Sequence, residues 1–96
     1  MPGYERAEVS AELTVVPSEH AGKPPREQVE AAKTAAGETG LAREAGPETL
    51  VLAGGQREVL EAMTKVVEAS LDAGANAVEI KVEAERDAQR FGGGTR

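Results

Sequence analysis

The chain has 96 residues, a length that suits one domain with one core. Its formal charge of −6, from 17 acidic and 11 basic residues, argues against a general nucleic-acid binder and against attachment to anionic membrane surfaces, both of which need cations facing phosphate. It has no cysteine, which excludes disulfides, thiolate chemistry and Cys-based metal sites, and Tyr4 and Phe91 are its two aromatics, so the core must be built from Val, Leu, Ile and Ala.

Residues 1–5 read as a flexible lead-in with no apolar signal core, and no segment approaches the roughly 18–20 apolar residues of a membrane span. Together with the missing cysteines this fits a cytoplasmic protein. The domain is expected over 6–85. Arg6–Pro17 is its first strand: Val9, Ala11, Leu13 and Val15 alternate with Ser10, Glu12, Thr14 and Val16. That period of two makes a strand with one apolar face and one polar face, ended by Pro17. Ser18–Pro24 has loop chemistry. Pro25 suits the first turn of a helix, which should run to Ala36 or Glu38, bury Val29, Ala32 and Ala36, and end at Gly37 and Gly40. No side-chain cap precedes it, so a frayed first turn is expected.

Leu41–Ala45, with Arg43 and Glu44, reads as an edge strand whose charges deter further pairing. A Gly46-Pro47 turn leads into Thr49–Ala53, an apolar strand closed by Gly54-Gly55. The second helix is expected over Gln56–Ala73. Val59, Leu60, Met63, Val66, Val67, Ser70 and Leu71 form its stripe at helical spacing, and Gly74 stands where a left-handed residue would end it. Ala77–Ala84 alternates again, with Val78, Ile80 and Val82 against Glu79, Lys81 and Glu83. Residues 86–96, charged and then glycine-rich, read as a disordered tail.

The order βαββαβ predicts an α+β, ferredoxin-like domain: a four-stranded antiparallel sheet of order 4-1-3-2 with two helices on one face. The two most apolar strands then fall at the centre. The opposite sheet face has no helix to cover it, so a homo-oligomer, dimer or tetramer, is expected.

The fold order admits several functions. An RNA-recognition motif needs aromatics on the central strands, and neither has one. A metal carrier of this fold needs cysteines by the first helix. An acylphosphatase-like enzyme needs an anion cradle in the first loop and a water-orienting Asn, but Asn76 precedes the fourth strand while Arg26 lies near the loop. A regulatory amino-acid-sensing domain stays open. His20, Lys23 and Arg26 could hold an anion at the first helix, against the plainer reading of a basic loop; a lone His20 makes no metal site. No catalytic residue, metal site or cofactor is expected.

AELTVVP at Ala11–Pro17, the Ala-rich helix, GPETLVLAGG at Gly46–Gly55 and REVLEAMTKVVEASLDAGANAVEIKVE at Arg57–Glu83 resemble the small thiamine-binding proteins, the YkoF-like group. The resemblance spans roughly residues 8–85. It implies a ferredoxin-like fold, homo-oligomers, no catalysis, and binding of thiamine or its hydroxymethylpyrimidine portion against sheet residues near subunit contacts, in a carrier, buffer or sensor. Where relatives commonly carry Gly-Thr after the Gly-Pro turn, this chain has Glu48, Thr49 and Leu50, and its Ser18–Pro24 loop is more charged. An aminopyrimidine offers an amino donor and ring-nitrogen acceptors. Glu12, with hydroxyls from Ser10, Thr14 or Thr49, could satisfy them. The plainer reading makes Glu12 a solvated or oligomer-rim carboxylate and the hydroxyls ordinary strand residues. The alternative function is a structural or regulatory oligomerisation module that binds no thiamine.

Overall fold

The computed structural model describes residues 8–43 and 46–84. The expected lead-in, the first two residues of strand one, Glu44, Ala45 and the tail lie outside the described residues. The element order is β1 (Val9–Val16), α1 (Pro25–Thr39), β2 (Ala42–Arg43), β3 (Thr49–Gly54), α2 (Gln56–Asp72) and β4 (Ala77–Ala84). The strands form one antiparallel sheet in the order β2-β3-β1-β4, which is the expected ferredoxin-like 4-1-3-2 arrangement.

β1 is paired along both edges, to β3 from Val9↔Gly54 to Thr14↔Thr49 and to β4 from Val9↔Ala84 to Val16↔Ala77. Its alternation puts Val9, Ala11, Leu13 and Val15 under the helices, with Ala11 and Leu13 fully buried. Leu50 and Leu52 of β3 complete that layer beside them. The small residues of α1 have a packing purpose. Ala32 and Ala36 are fully buried, and together with Ala62 of α2 they let the two helices lie close together over the sheet.

α1 continues through Gly37 to Thr39 and ends at Gly40, whose φ of 77° is left-handed. Glycine inside a helix is a penalty and not a stop; the turn itself needs the left-handed residue, and Gly40 supplies it. The first turn of α1 has no side-chain cap, as its sequence predicts, but it is closed. The carbonyl of Pro24 accepts from the N–H groups of Glu27 and Gln28. The fully buried Gln28 then ties down the preceding loop. Its Oε1 accepts from the Ser18 N–H at 2.8 Å, and its Nε2 donates to the carbonyls of Ser18 at 2.7 Å and Lys23 at 2.8 Å. At the far end of α2, Gly74 has a φ of 105°, and any side chain there would collide with the Cβ of Ala21 in the same loop.

Two further expectations change. Among the described residues β2 spans Ala42–Arg43, and Leu41 lies just before it, packed against the core with its carbonyl accepting from the Ala53 N–H at 3.1 Å. The stripe of α2 is buried along Val59, Ala62, Val66 and Ser70, with Met63 and Val67 half-buried at its margin. Leu60 and Leu71 remain 45% and 51% exposed. α2 packs on α1, β1, β3 and β4, and these neighbours leave Leu60 and Leu71 largely uncovered. Ser70 is buried because its hydroxyl is satisfied by the Val66 carbonyl at 2.7 Å.

Gln28→Leu keeps the side-chain size but strips three backbone groups of their partner. It should lower unfolding free energy by about 2–4 kcal/mol, read by urea denaturation at fixed protein concentration. A loss below about 0.5 kcal/mol would show that the loop does not depend on this residue.

Candidate functional site

The register of the sheet decides which side chains share the face away from the helices. Residues directly opposite in antiparallel strands lie on the same face. One row therefore reads Arg43, Val51, Glu12, Lys81 across β2, β3, β1 and β4. The next row reads Thr49, Thr14, Glu79, and on the other side lies Ala53, Ser10, Glu83. Val16 stands opposite Ala77 at the end.

All four candidate ligand-binding residues thus fall on one patch. Thr14 Oγ1 and Thr49 Oγ1 lie 3.5 Å apart, either able to donate to the other. Their cross-strand pairing follows from register alone, since Thr14 and Thr49 are the last pair of the β1–β3 ladder. Glu12 is on the same face one row away, about 7 Å along the strand from Thr14. It is exposed, while Ser10, Thr14 and Thr49 are half-buried. Val51, half-buried beside Glu12, gives the patch an apolar element.

Sequence reasoning missed two members of this face. Arg43 and Lys81 flank the Val51–Glu12 pair; alternation puts Lys81 on the open face, but its place beside Glu12, and the side of Arg43, came only with the pairing of β4 to β1 and β2 to β3. Their presence changes the electrostatics. The acidity of the whole chain does not carry over to this patch, where Glu12, Glu79 and Glu83 are nearly balanced by Lys81 and Arg43. Lys81 also meets Glu83 at 3.6 Å, with both side chains well exposed, so this pair contributes little.

Among the described residues the patch is a sheet surface. A cleft of about 490 Å³ lies between the helices, lined by Glu38, Leu41, Glu58, Glu61 and Lys65 among others. Another, of about 320 Å³, holds Pro17, Arg26, Val29, Lys33 and Glu48. Neither includes Ser10, Glu12, Thr14 or Thr49. The three basic-loop candidates do not converge: Arg26 lines the second cleft, whereas His20 and Lys23 do not. Lys33 in that cleft donates to the Gly46 carbonyl at 3.1 Å. Asn76 uses its backbone N–H on the Val16 carbonyl at 2.9 Å, a strand-end contact. Among the described residues no cluster of three or more His, Cys, Asp or Glu is arranged to hold a metal ion, and no helix is long and apolar enough to cross a membrane.

No family model matches the chain, and no curated protein matches it. One solved structure to which it is similar is described as a domain of unknown function, DUF77, from Bacillus cereus. The two share 25% sequence identity with a TM-score of 0.63, over 78% of this chain and 71% of that one. The likeness agrees with the ferredoxin-like fold and with a family whose role is unassigned; it brings no ligand with it.

Because Glu12 is exposed and makes no ion pair within 4 Å among the described residues, Glu12→Gln should change unfolding free energy by less than about 0.5 kcal/mol in urea denaturation. A loss above about 1.5 kcal/mol would make Glu12 a structural residue.

Proposed function

We propose that this chain is a non-enzymatic small-molecule binding protein that takes thiamine, or its hydroxymethylpyrimidine portion, on the open face of its sheet, and that it works as a homo-oligomer. The observation that carries this reading is the patch itself: the Thr14–Thr49 hydroxyl pair beside Glu12, on a face that neither helix covers. The Glu12 carboxylate can accept from an exocyclic amino group, and the hydroxyls can donate to ring nitrogens. Val51 and Val16 offer apolar contact for the ring. The resemblance of the ELTVVP strand and the DAG-terminated helix to small thiamine-binding proteins supports the same ligand class.

A flat face buries only one side of a small ligand, whereas small-molecule sites generally enclose most of it. The homo-oligomer belongs to the proposal for that reason: a second wall is needed. The second reading, an oligomerisation module without ligand, is favoured by Ile80 and Val82, which stand 40% and 44% exposed on β4. It predicts association that is indifferent to Glu12.

Isothermal titration with thiamine and with hydroxymethylpyrimidine separates the two. A saturable heat with one of them is expected, weakened about tenfold or more by Glu12→Ala, the size of a hydrogen bond to a charged group. No heat from either compound at millimolar concentration would overturn the proposal and leave the oligomerisation reading.

A further inference from the structure

The two edges of the sheet are unlike each other. At one edge β2, paired at Ala42 and Arg43 among the described residues, carries Arg43 on the open face, and a charge there is how edge strands are kept from recruiting others. At the other edge β4 runs for eight residues, AVEIKVEA, without proline or glycine, and is paired only to β1. The row of backbone groups along its outer side has no partner strand among the described residues. Its apolar side chains are also under-covered. Val78, Ile80 and Val82 share the helix side, opposite Val15, Leu13 and Ala11, yet Ile80 and Val82 are 40% and 44% exposed. Ile80 borders an open apolar cleft of about 410 Å³ with Leu60, Met63 and Val67 of α2.

We propose that β4 pairs antiparallel with β4 of a second copy of this chain, in a register centred on Ile80, joining the two sheets into one. Charge complementarity selects both the occupant and the register. Centred on Ile80, each Glu79 faces the partner's Lys81 and each Lys81 faces the partner's Glu79, while Val78 faces the partner's Val82 and Ile80 the partner's Ile80. Val78, Ile80 and Val82 then stay on the helix side in both copies and both charge pairs are attractive. A register centred on Lys81 would oppose Lys81 to itself and Glu79 to Glu83. One centred on Glu79 would oppose that glutamate to its own copy. One centred on Val82 would pair Lys81 with Glu83 but leave Ala77, Val78 and Glu79 without partners inside the strand. A shift by a single residue would set the Ile80 side of one copy against the Lys81 side of the other.

In the Ile80 register, the partner's Ile80 also stands at the mouth of the cleft formed by Leu60, Met63 and Val67. That adds a second apolar neighbour beside Leu60 of α2, which stays 45% exposed next to its own Ile80. The pairing goes beyond the proposed ligand and stands if no pyrimidine binds; binding heats and association are measured separately, so either can fail alone.

Sedimentation velocity across a concentration series, with circular dichroism to confirm folding, tests the pairing. The unaltered chain should be a dimer or a multiple of one. Glu79→Lys and Lys81→Glu should each weaken dimerisation about tenfold or more, because two-fold symmetry turns both charge pairs repulsive at once. The decisive step is to mix the two single variants. At these two positions the E79K strand carries only cations and the K81E strand only anions, so both cross-strand pairs of a mixed dimer are attractive again. A heterodimer should therefore form where each variant alone dissociates, and the double variant should again self-associate. A chain that is monomeric at about 100 µM, a dimer that neither reversal disturbs, or a mixture that fails to recover association would overturn the register and the interface.

Discussion

A β-strand sends successive side chains to opposite faces, and in this chain β1 is held by ladders on both of its edges, so neither face can rotate away. That constraint organises the rest. With Ala11 and Leu13 sealed under α1 and α2, Ser10, Glu12, Thr14 and Val16 must lie on the far side, whatever their own preferences. A one-residue slip of β1 would move four apolar residues into the open and Glu12 into the core, a cost large enough to fix the register. The fold and the candidate site are therefore two consequences of one pairing pattern.

The energetics of the aliphatic core depend on close approach. Alanines at 32, 36 and 62 bury little area each, but they bring α1 and α2 together over a layer with no aromatic among the described residues. Such a thin core leaves little surplus for loops, and the loop after β1 is fastened by specific bonds instead. Gln28 supplies three of them, and the contact between Gly74 and Ala21 brings the α2–β4 turn against the same loop. Both devices act at the end of the sheet where Thr14 and Thr49 meet, so they also steady one side of the open face.

Elements with a strong period were legible from the sequence: β1, the apolar centre of β3, α2 and β4 fall where alternation or helical spacing put them. What escaped was set by neighbours and not by pattern. Leu60 and Leu71 fit the stripe of α2 as well as Val59 or Val66 does, yet the sheet and α1 cover the latter pair and leave the leucines largely exposed. β2 begins one residue later than its pattern suggests because Leu41 packs against the core. Gln28 carries no sequence signal of burial, since a glutamine on a helix reads as surface until three backbone partners surround it. On the candidate site, the shared face of Ser10, Glu12 and Thr14 was readable from spacing. Thr49 joined them through register, as did the placement of Lys81 beside Glu12 and of Arg43 beyond Val51. The patch is consequently more evenly charged than an acidic chain suggests, which favours a ligand read by hydrogen bonds over one drawn by bulk charge.

The central claim is that one face of β1 builds the fold and the other receives a ligand. It is tested most directly by following backbone amide resonances during titration with thiamine or hydroxymethylpyrimidine. The account predicts shifts concentrated at Ser10, Glu12, Thr14, Thr49 and Val51, with the α1–α2 side left unchanged. Shifts centred instead on the helical cleft around Glu58 and Glu61, or no shifts at millimolar ligand, would contradict it.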